Sequence, residues 1–369
     1  MPSAKRRLVL HIGTEKTGTT SIQGALDDNR QELLDAGFYN LRFRGRADNR
    51  DLVLSFKNVP DDDWHSENRL RDAFALASYR DALAHEFAAE ISAIPSFVGT
   101  VIISGEHFHS CLVDISDVDS AKGFFAEFFD QIEVFCYVRE QSEVCRALYS
   151  TLLKSGTLVD PLDHLRACSV DNAYYDYLSL ANRWSSVFGV ESFRLFIYQS
   201  EIDAHGCVVK SFLSALNAPL KAGQHFTSFS RLNPSVTLTG ATLLTALNAL
   251  RCDDNPILSP DAYARLVPAI ERLFAGREPL FPLESMKKIY DAFAIQNETL
   301  SSVYLGVESN PFGLGHLLDG YSHSHSARGH LLGLDAAKSA AELLRLLIAI
   351  EKAEALSSFR PRLSALRNG

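Results

Sequence analysis

An apolar run, Arg7-Leu8-Val9-Leu10-His11-Ile12, leads directly into the string Gly13-Thr14-Glu15-Lys16-Thr17-Gly18-Thr19-Thr20. No other stretch of the chain limits its folding options so tightly. The apolar run has the length of a buried strand. From Thr19 to Ala36 the apolar residues Ile22, Leu26, Leu33 and Leu34 recur at helical spacing, and Gly37 supplies a stop. The unit therefore reads strand, glycine loop, helix. Such a loop points several backbone N–H groups at one spot, and the positive end of the helix dipole adds to their field. The string predicts an anion cradle.

The rest of the first 220 residues repeats the alternation. Val98 to Ser104, Glu133 to Val138 and Ser192 to Tyr198 read as buried strands. Helical patterns separate them at 70–94, 124–129, 140–153, 176–188 and 208–216, while 40–70 is polar and reads as loop with local helix. Strands alternating with helices predict an α/β fold, a central parallel sheet flanked by helices. In such sheets ligands sit at the carboxyl ends of the strands. Beyond Asn233 the pattern is mostly helical: 238–250, 261–274 and 284–304. Residues 309–333, rich in Gly, His and Ser, read as a linker or loop. Residues 334–369 contain a last apolar helix, Asp335 to Leu356, that packs on the body, meets a second copy in a homodimer or touches a membrane surface.

Gly13 and Gly18 have the separation of the P-loop pattern GxxxxGK[ST], but Thr19 occupies the lysine position and the loop's lysine is Lys16. That breaks the usual arrangement for a nucleoside triphosphate with Mg²⁺. Thr14, Thr17, Thr19 and Thr20 offer donors to an anion, and Lys16 a positive charge. The full stretch His11 to Gln23 resembles the 5′-phosphosulfate loop of sulfotransferases that use 3′-phosphoadenosine-5′-phosphosulfate (PAPS), most closely the bacterial carbohydrate type. A divergent P-loop kinase or NTPase is the alternative.

After the strand 133–138 stands Arg139, placed to fork onto a phosphate. It resembles the arginine of the family's 3′-phosphate motif. That motif has a serine eight residues later, where this chain has Ala147, and a tyrosine two beyond, which Tyr149 matches. The missing hydroxyl falls to Ser142 or Ser150. Ser230 to Ser235 resembles the family's R-x-N-x-S element and adds Asn233 to the expected nucleotide contacts, and Asn297 to Tyr304 resembles a late family helix. The resemblance covers residues 7–306 and makes 1–308 the sulfotransferase domain.

Sulfuryl transfer needs positive groups at the leaving oxygen and a base for the acceptor proton. Lys16 suits the first task. Ser104-Gly105-Glu106-His107-Phe108-His109 is the densest titratable cluster at a strand end, so Glu106 ranks first as base, then His107 and His109. Asp48 is a further alternative, and Glu15 lies where it can touch the acceptor. The family implies a carbohydrate or other hydroxyl acceptor and no metal. Trp64, Tyr174, Tyr175 and Trp184 offer rings that stack on sugars or fill the core. Ala147 also leaves open an inactive relative that only binds glycan.

Net charge bounds the partners. Lys and Arg number 36 against 45 Asp and Glu, a net charge of −9, which argues against nucleic acid. The six cysteines carry no metal-type spacing, and no apolar stretch approaches the ~18 residues of a membrane span. The expected location is cytoplasmic.

Overall fold

The four apolar runs become strands of one parallel sheet in the computed structural model, which describes residues 6–59, 65–66, 68–70, 72–218, 235–251, 259–276, 278–313 and 321. In chain order the elements are β1 (Arg7–His11), α1 (Thr19–Asp28), α2 (Arg30–Asp35), β2 (Phe38–Asn40), α3 (Arg50–Leu54), α4 (Ala73–Ala93), β3 (Thr100–Ser104), α5 (His107–Cys111) and α6 (Ile115–Ala126). They continue with β4 (Gln131–Val138), α7 (Gln141–Lys154), α8 (Pro161–Ala167), α9 (Tyr177–Phe188), β5 (Phe193–Ile197), α10 (Tyr198–His205) and α11 (Val208–Ala215). Helices α12 (Leu238–Arg251), α13 (Pro260–Leu273), α14 (Leu283–Ala292) and α15 (Ala294–Leu305) complete the described chain. No described helix is long and apolar enough to cross a membrane.

The sheet order is β2-β3-β1-β4-β5, and every pairing is parallel. Alternate side chains face opposite layers, as the two-residue strand period demands. Leu8, Leu10, Val101, Ile103, Val134 and Cys136 join one buried cluster with Phe87, Phe125 and Trp184 from α4, α6 and α9. Val9, Ile102, Phe135 and Tyr137 join the other, with Ile22 of α1 and Phe212 of α11. Both faces are thus covered, which is why the strands read as unbroken apolar runs.

Two local features depart from the sequence expectation. The single helix expected over 19–36 is split at Asn29, whose side-chain Nδ2 donates to the Ala25 carbonyl at 2.7 Å and competes with the helix ladder. The edge strand β2 lies within the segment read as loop and its flank. It is only three residues long, too short to show a period, and its register is set by pairing with β3.

The chain divides into two compact units. The first holds the sheet and comprises residues up to Val144, Ser169–Leu232 and Tyr290–Gly313. The second comprises Cys145–Cys168, Asn233–Ile289 and the chain from Leu314. Its described part is helical around its own core, in which Tyr149, Leu153, Leu244, Leu247, Phe281 and Met286 are buried. Residues 314–320 and 322–369, which include most of the expected linker and all of the last helix, lie outside the described residues.

Candidate functional site

Strand β1 lies between β3 and β4, and the register sets His11 beside both Ser104 and Phe135. The segments that follow these three strands therefore leave the sheet together. They are the glycine loop, Gly105-Glu106 and Arg139. This is the carboxyl edge where the strand order reverses, the usual ligand crevice of open α/β sheets.

The loop is anchored before it turns. Ile12 N donates to Phe135 O at 3.0 Å and Thr14 N to Tyr137 O at 2.7 Å, so β1 pairing with β4 runs on into the loop. Gly18 then takes a left-handed conformation, φ +85°, and opens α1 with no side-chain cap and no acidic residue in the first turn. The first N–H groups of that helix face outward for an anion. Lys16 is also left-handed, φ +65°, a conformation that costs a residue with a Cβ roughly 1 kcal/mol or more. Thr17 Oγ1 donates to the Thr14 carbonyl at 2.6 Å and Thr19 Oγ1 reaches the same oxygen at 3.4 Å, so both hydroxyls brace the turn. Thr20 is exposed. Thr14 Oγ1 is buried with no hydrogen-bond partner among the described residues, a polar atom that a bound oxyanion would satisfy.

Glu106 stands against this loop. A Cβ on Gly13 would lie 3.3 Å from the Glu106 Cα. The Glu106 Oε2 accepts from Gln23 Nε2 of α1 at 3.2 Å. On its other side a Cβ on Gly105 would meet the Asp48 carbonyl at 2.6 Å, so residues 46–50 form the next wall. Asn49, buried and left-handed, fixes that wall: Oδ1 accepts from Phe43 N at 2.8 Å and Nδ2 donates to Ser104 O at 3.0 Å. Burial would raise the Asp48 pKa, but two hydrogen bonds from Arg46 and one from Arg50 N outweigh it and hold the carboxyl below its ordinary value. His107 Nε2 lies 4.0 Å from Asp48 Oδ2.

His109 is placed differently. It is buried, donates from Nε2 to the Tyr174 carbonyl at 2.8 Å, and is driven by desolvation down to a pKa of about 4. The Glu15 carboxylate acts on both His109 and the Tyr174 phenol, whose pKa is raised by burial first and by Glu15 next. Glu15, His109 and Tyr174 thus share the floor beside the loop.

Arg139 spans the remaining side. Nη1 donates to the Lys16 carbonyl at 3.3 Å, Nη2 to Glu143 Oε2 at 2.8 Å, and the guanidinium lies over the Tyr198 ring, 5.5 Å from its centroid. Glu140 caps α7. It accepts from Ser142 N, Ser142 Oγ and Glu143 N at 2.9, 2.5 and 2.9 Å. The Ser142 hydroxyl is therefore committed to that cap. Gln141 and Asn297 exchange amide hydrogen bonds at 2.8 and 3.1 Å, which ties α15 to the start of α7.

The structure brings Thr14, Lys16, Thr17, Gly18, Thr19, Thr20, Glu106, His107, His109 and Arg139 together at this edge. Ser150 belongs to the second unit, where its Oγ is buried with no partner among the described residues. Asn233 lies outside the described residues, as does Trp64. Tyr175 and Trp184 are core residues, 2% and 0% exposed, and Trp184 stacks on Phe188, so neither offers a face to a sugar. Among the described residues no group of three or more His, Cys, Asp or Glu is placed to hold a metal ion. The sequence reading missed Gln23 and Asn49, since the partners of each, Ser104 and Glu106 for Gln23 and Phe43 and Ser104 for Asn49, come together only in the folded chain.

No protein-family model and no curated protein matches the chain. Among solved structures it is similar to a sulfotransferase from Alicyclobacillus acidocaldarius, at 14% identity and a TM-score of 0.38, over 71% of this chain and 100% of that one. It is also similar to the sulfotransferase domain from the Synechococcus PCC 7002 olefin synthase, at 13% identity and a TM-score of 0.36, over 73% of this chain and 96% of that one. Likenesses this distant assign no residue a role.

Proposed function

We propose that the chain transfers a sulfuryl group from PAPS to a hydroxyl acceptor. One observation carries the reading: an uncapped helix N-terminus with a lysine inside its loop, flanked by Glu106 and Arg139 at adjacent strand ends. The loop suits a 5′-phosphosulfate, with α1 N–H groups and Thr14 as donors. Arg139 suits the 3′-phosphate. The carbohydrate class of acceptor rests on the resemblance of His11 to Gln23 to bacterial members of the family.

In this reading the acceptor oxygen attacks sulfur in line with the bridging oxygen. Its O–H bond breaks and the proton passes to Glu106. The new S–O bond forms as the bond from sulfur to the bridging oxygen breaks, and that electron pair stays on the phosphate of the product, 3′-phosphoadenosine-5′-phosphate (PAP). Lys16 and the α1 N–H groups stabilise the charge that gathers there. Asp48 is poorly suited to the base role, because its ion pair with Arg46 favours the ionised form and weakens it as a proton acceptor.

Calorimetry with PAP, ATP and GTP, each with and without Mg²⁺, tests the proposal. It expects PAP to bind without the metal. Metal-dependent ATP or GTP binding with no affinity for PAP would overturn it in favour of a kinase or NTPase.

A further inference from the structure

We propose that Gln23 is the positioning residue for Glu106, fixing one carboxylate oxygen so that the other faces the acceptor. The inference rests on Glu106 being the base in the transfer proposed above. Gln23 lies on α1, one turn beyond Thr19, so the helix that presents its N-terminus to the donor also carries the group that holds the base. Its Nε2 donates to Glu106 Oε2 at 3.2 Å and lies 3.4 Å from Ser104 Oγ. Glu106 Oε1 makes no hydrogen bond among the described residues and is the oxygen left for a proton.

The amide is itself held from behind. Ser104, 1% exposed, bonds to His11 Nδ1 at 2.8 Å, and His11 is fully buried between β3 and β4. Desolvation lowers the His11 pKa to about 3, so the ring is neutral and carries one N–H. His11 Nε2 has no partner among the described residues. An orphaned donor is rarer than an under-satisfied acceptor, which puts the hydrogen on Nδ1, donating to Ser104 Oγ. The Gln23 amide then has one workable orientation. Turned over, its oxygen would face Glu106 Oε2 across 3.2 Å, acceptor against acceptor.

A lone glutamate after a glycine has free side-chain torsions. Holding its carboxylate within reach of the acceptor removes a positional cost from the chemical step, because misplacement by about 1 Å can lower a rate ~100-fold. Gln23 therefore acts on kcat and not on donor binding.

The test is release of PAP from PAPS with water as the acceptor, alongside calorimetric PAP binding, for the unaltered chain, Q23L, E106Q and the double variant. Q23L is expected to keep PAP affinity and donor KM within about twofold and to lose kcat roughly 10-fold. E106Q is expected to lose kcat ~100-fold, and the double variant no more than E106Q alone, because two residues acting as one unit are not additive. Q23M, which keeps side-chain length and removes only the amide, gives the same readings if Q23L does not fold. A double variant that falls by the product of the single losses overturns the inference, as does a Q23L effect confined to KM. Equal rates for the unaltered chain and E106Q overturn it too, since Glu106 then moves no proton. Failure of the unaltered chain to bind PAP overturns the PAPS reading itself, an outcome distinct from intact binding with multiplicative losses.

Discussion

Arg139 donates a guanidinium hydrogen to the carbonyl of Lys16 at 3.3 Å, across 123 residues of chain. The arginine proposed to hold the 3′-phosphate thereby also supports the turn that carries Lys16, the residue proposed to act at the 5′ end. Removing it should loosen both ends of the donor site. We expect Arg139→Ala to weaken PAP binding by ~10-fold or more, the scale of a lost charge-assisted bidentate contact. Arg139→Lys should recover little, since an ammonium cannot serve the carbonyl and a phosphate with a planar fork. Calorimetry reads both values, and an R139K affinity equal to that of the unaltered chain would remove the fork from the argument.

Lys16 gives a second prediction, in which stability and activity move in opposite directions. Its φ of +65° is unfavourable for any residue with a Cβ and nearly free for glycine. Lys16→Gly should therefore be more stable than Lys16→Ala by about 1 kcal/mol in denaturant unfolding. Both should lose PAPS turnover ~100-fold or more, as the charge at the leaving oxygen is gone from each. Equal stability of the two variants would show that the turn is unstrained, and retained turnover would remove Lys16 from the chemistry.

These two positions were legible in the sequence, and the reasons differ from those that hid the others. Leu8-Val9-Leu10, Ile102-Ile103 and Phe135 to Val138 stand out because both sheet faces are buried, so the strands carry no polar alternation. Glu106 and Arg139 stand out as candidates because each follows such a strand. Gln23 does not, because a glutamine on a helix is ordinary until its partner, 83 residues on, is known. Asn49 likewise looks like a loop residue, and its left-handed backbone and its bond to Ser104 O depend on β3 being in place. Ser142 was one of two candidates for a lost hydroxyl, but the Glu140 cap that engages it requires α7 to start at that turn. Local pattern revealed the strand ends, while cross-strand partners decided which side chains are free to act.

Acid should destabilise the fold through His11 and His109. Both have native pKa values below the unfolded value of 6.5, about 3 and about 4. Below pH 6.5 the unfolded chain binds protons at these sites that the native chain does not. Each histidine then costs about 1.4 kcal/mol per pH unit as pH falls toward its native value, and neither costs anything above 6.5. Denaturant midpoints should therefore drop between pH 6.5 and 4.5. His109→Gln should shrink that slope by close to one proton, because glutamine can still donate to Tyr174 O without taking up charge. An identical slope in both proteins would mean that His109 is solvated in the native state.

The reciprocal amide pair of Gln141 and Asn297 supplies the last prediction. Both residues are essentially buried, and each donates to the other's oxygen. Asn297→Leu removes both hydrogen bonds of the pair and sets an apolar side chain against the Gln141 amide, so it should cost about 1–3 kcal/mol. Gln141→Leu with Asn297→Leu removes both polar groups, and the double variant should recover part of that loss. The pair also sets how α15 meets the start of α7, two residues after Arg139. If that contact steadies the arginine, PAP affinity should fall in the single variant and return in the double one as stability returns. Chemical denaturation and calorimetry on the same samples separate the two effects. A single variant that loses stability but keeps its PAP affinity would confine the pair to a structural role.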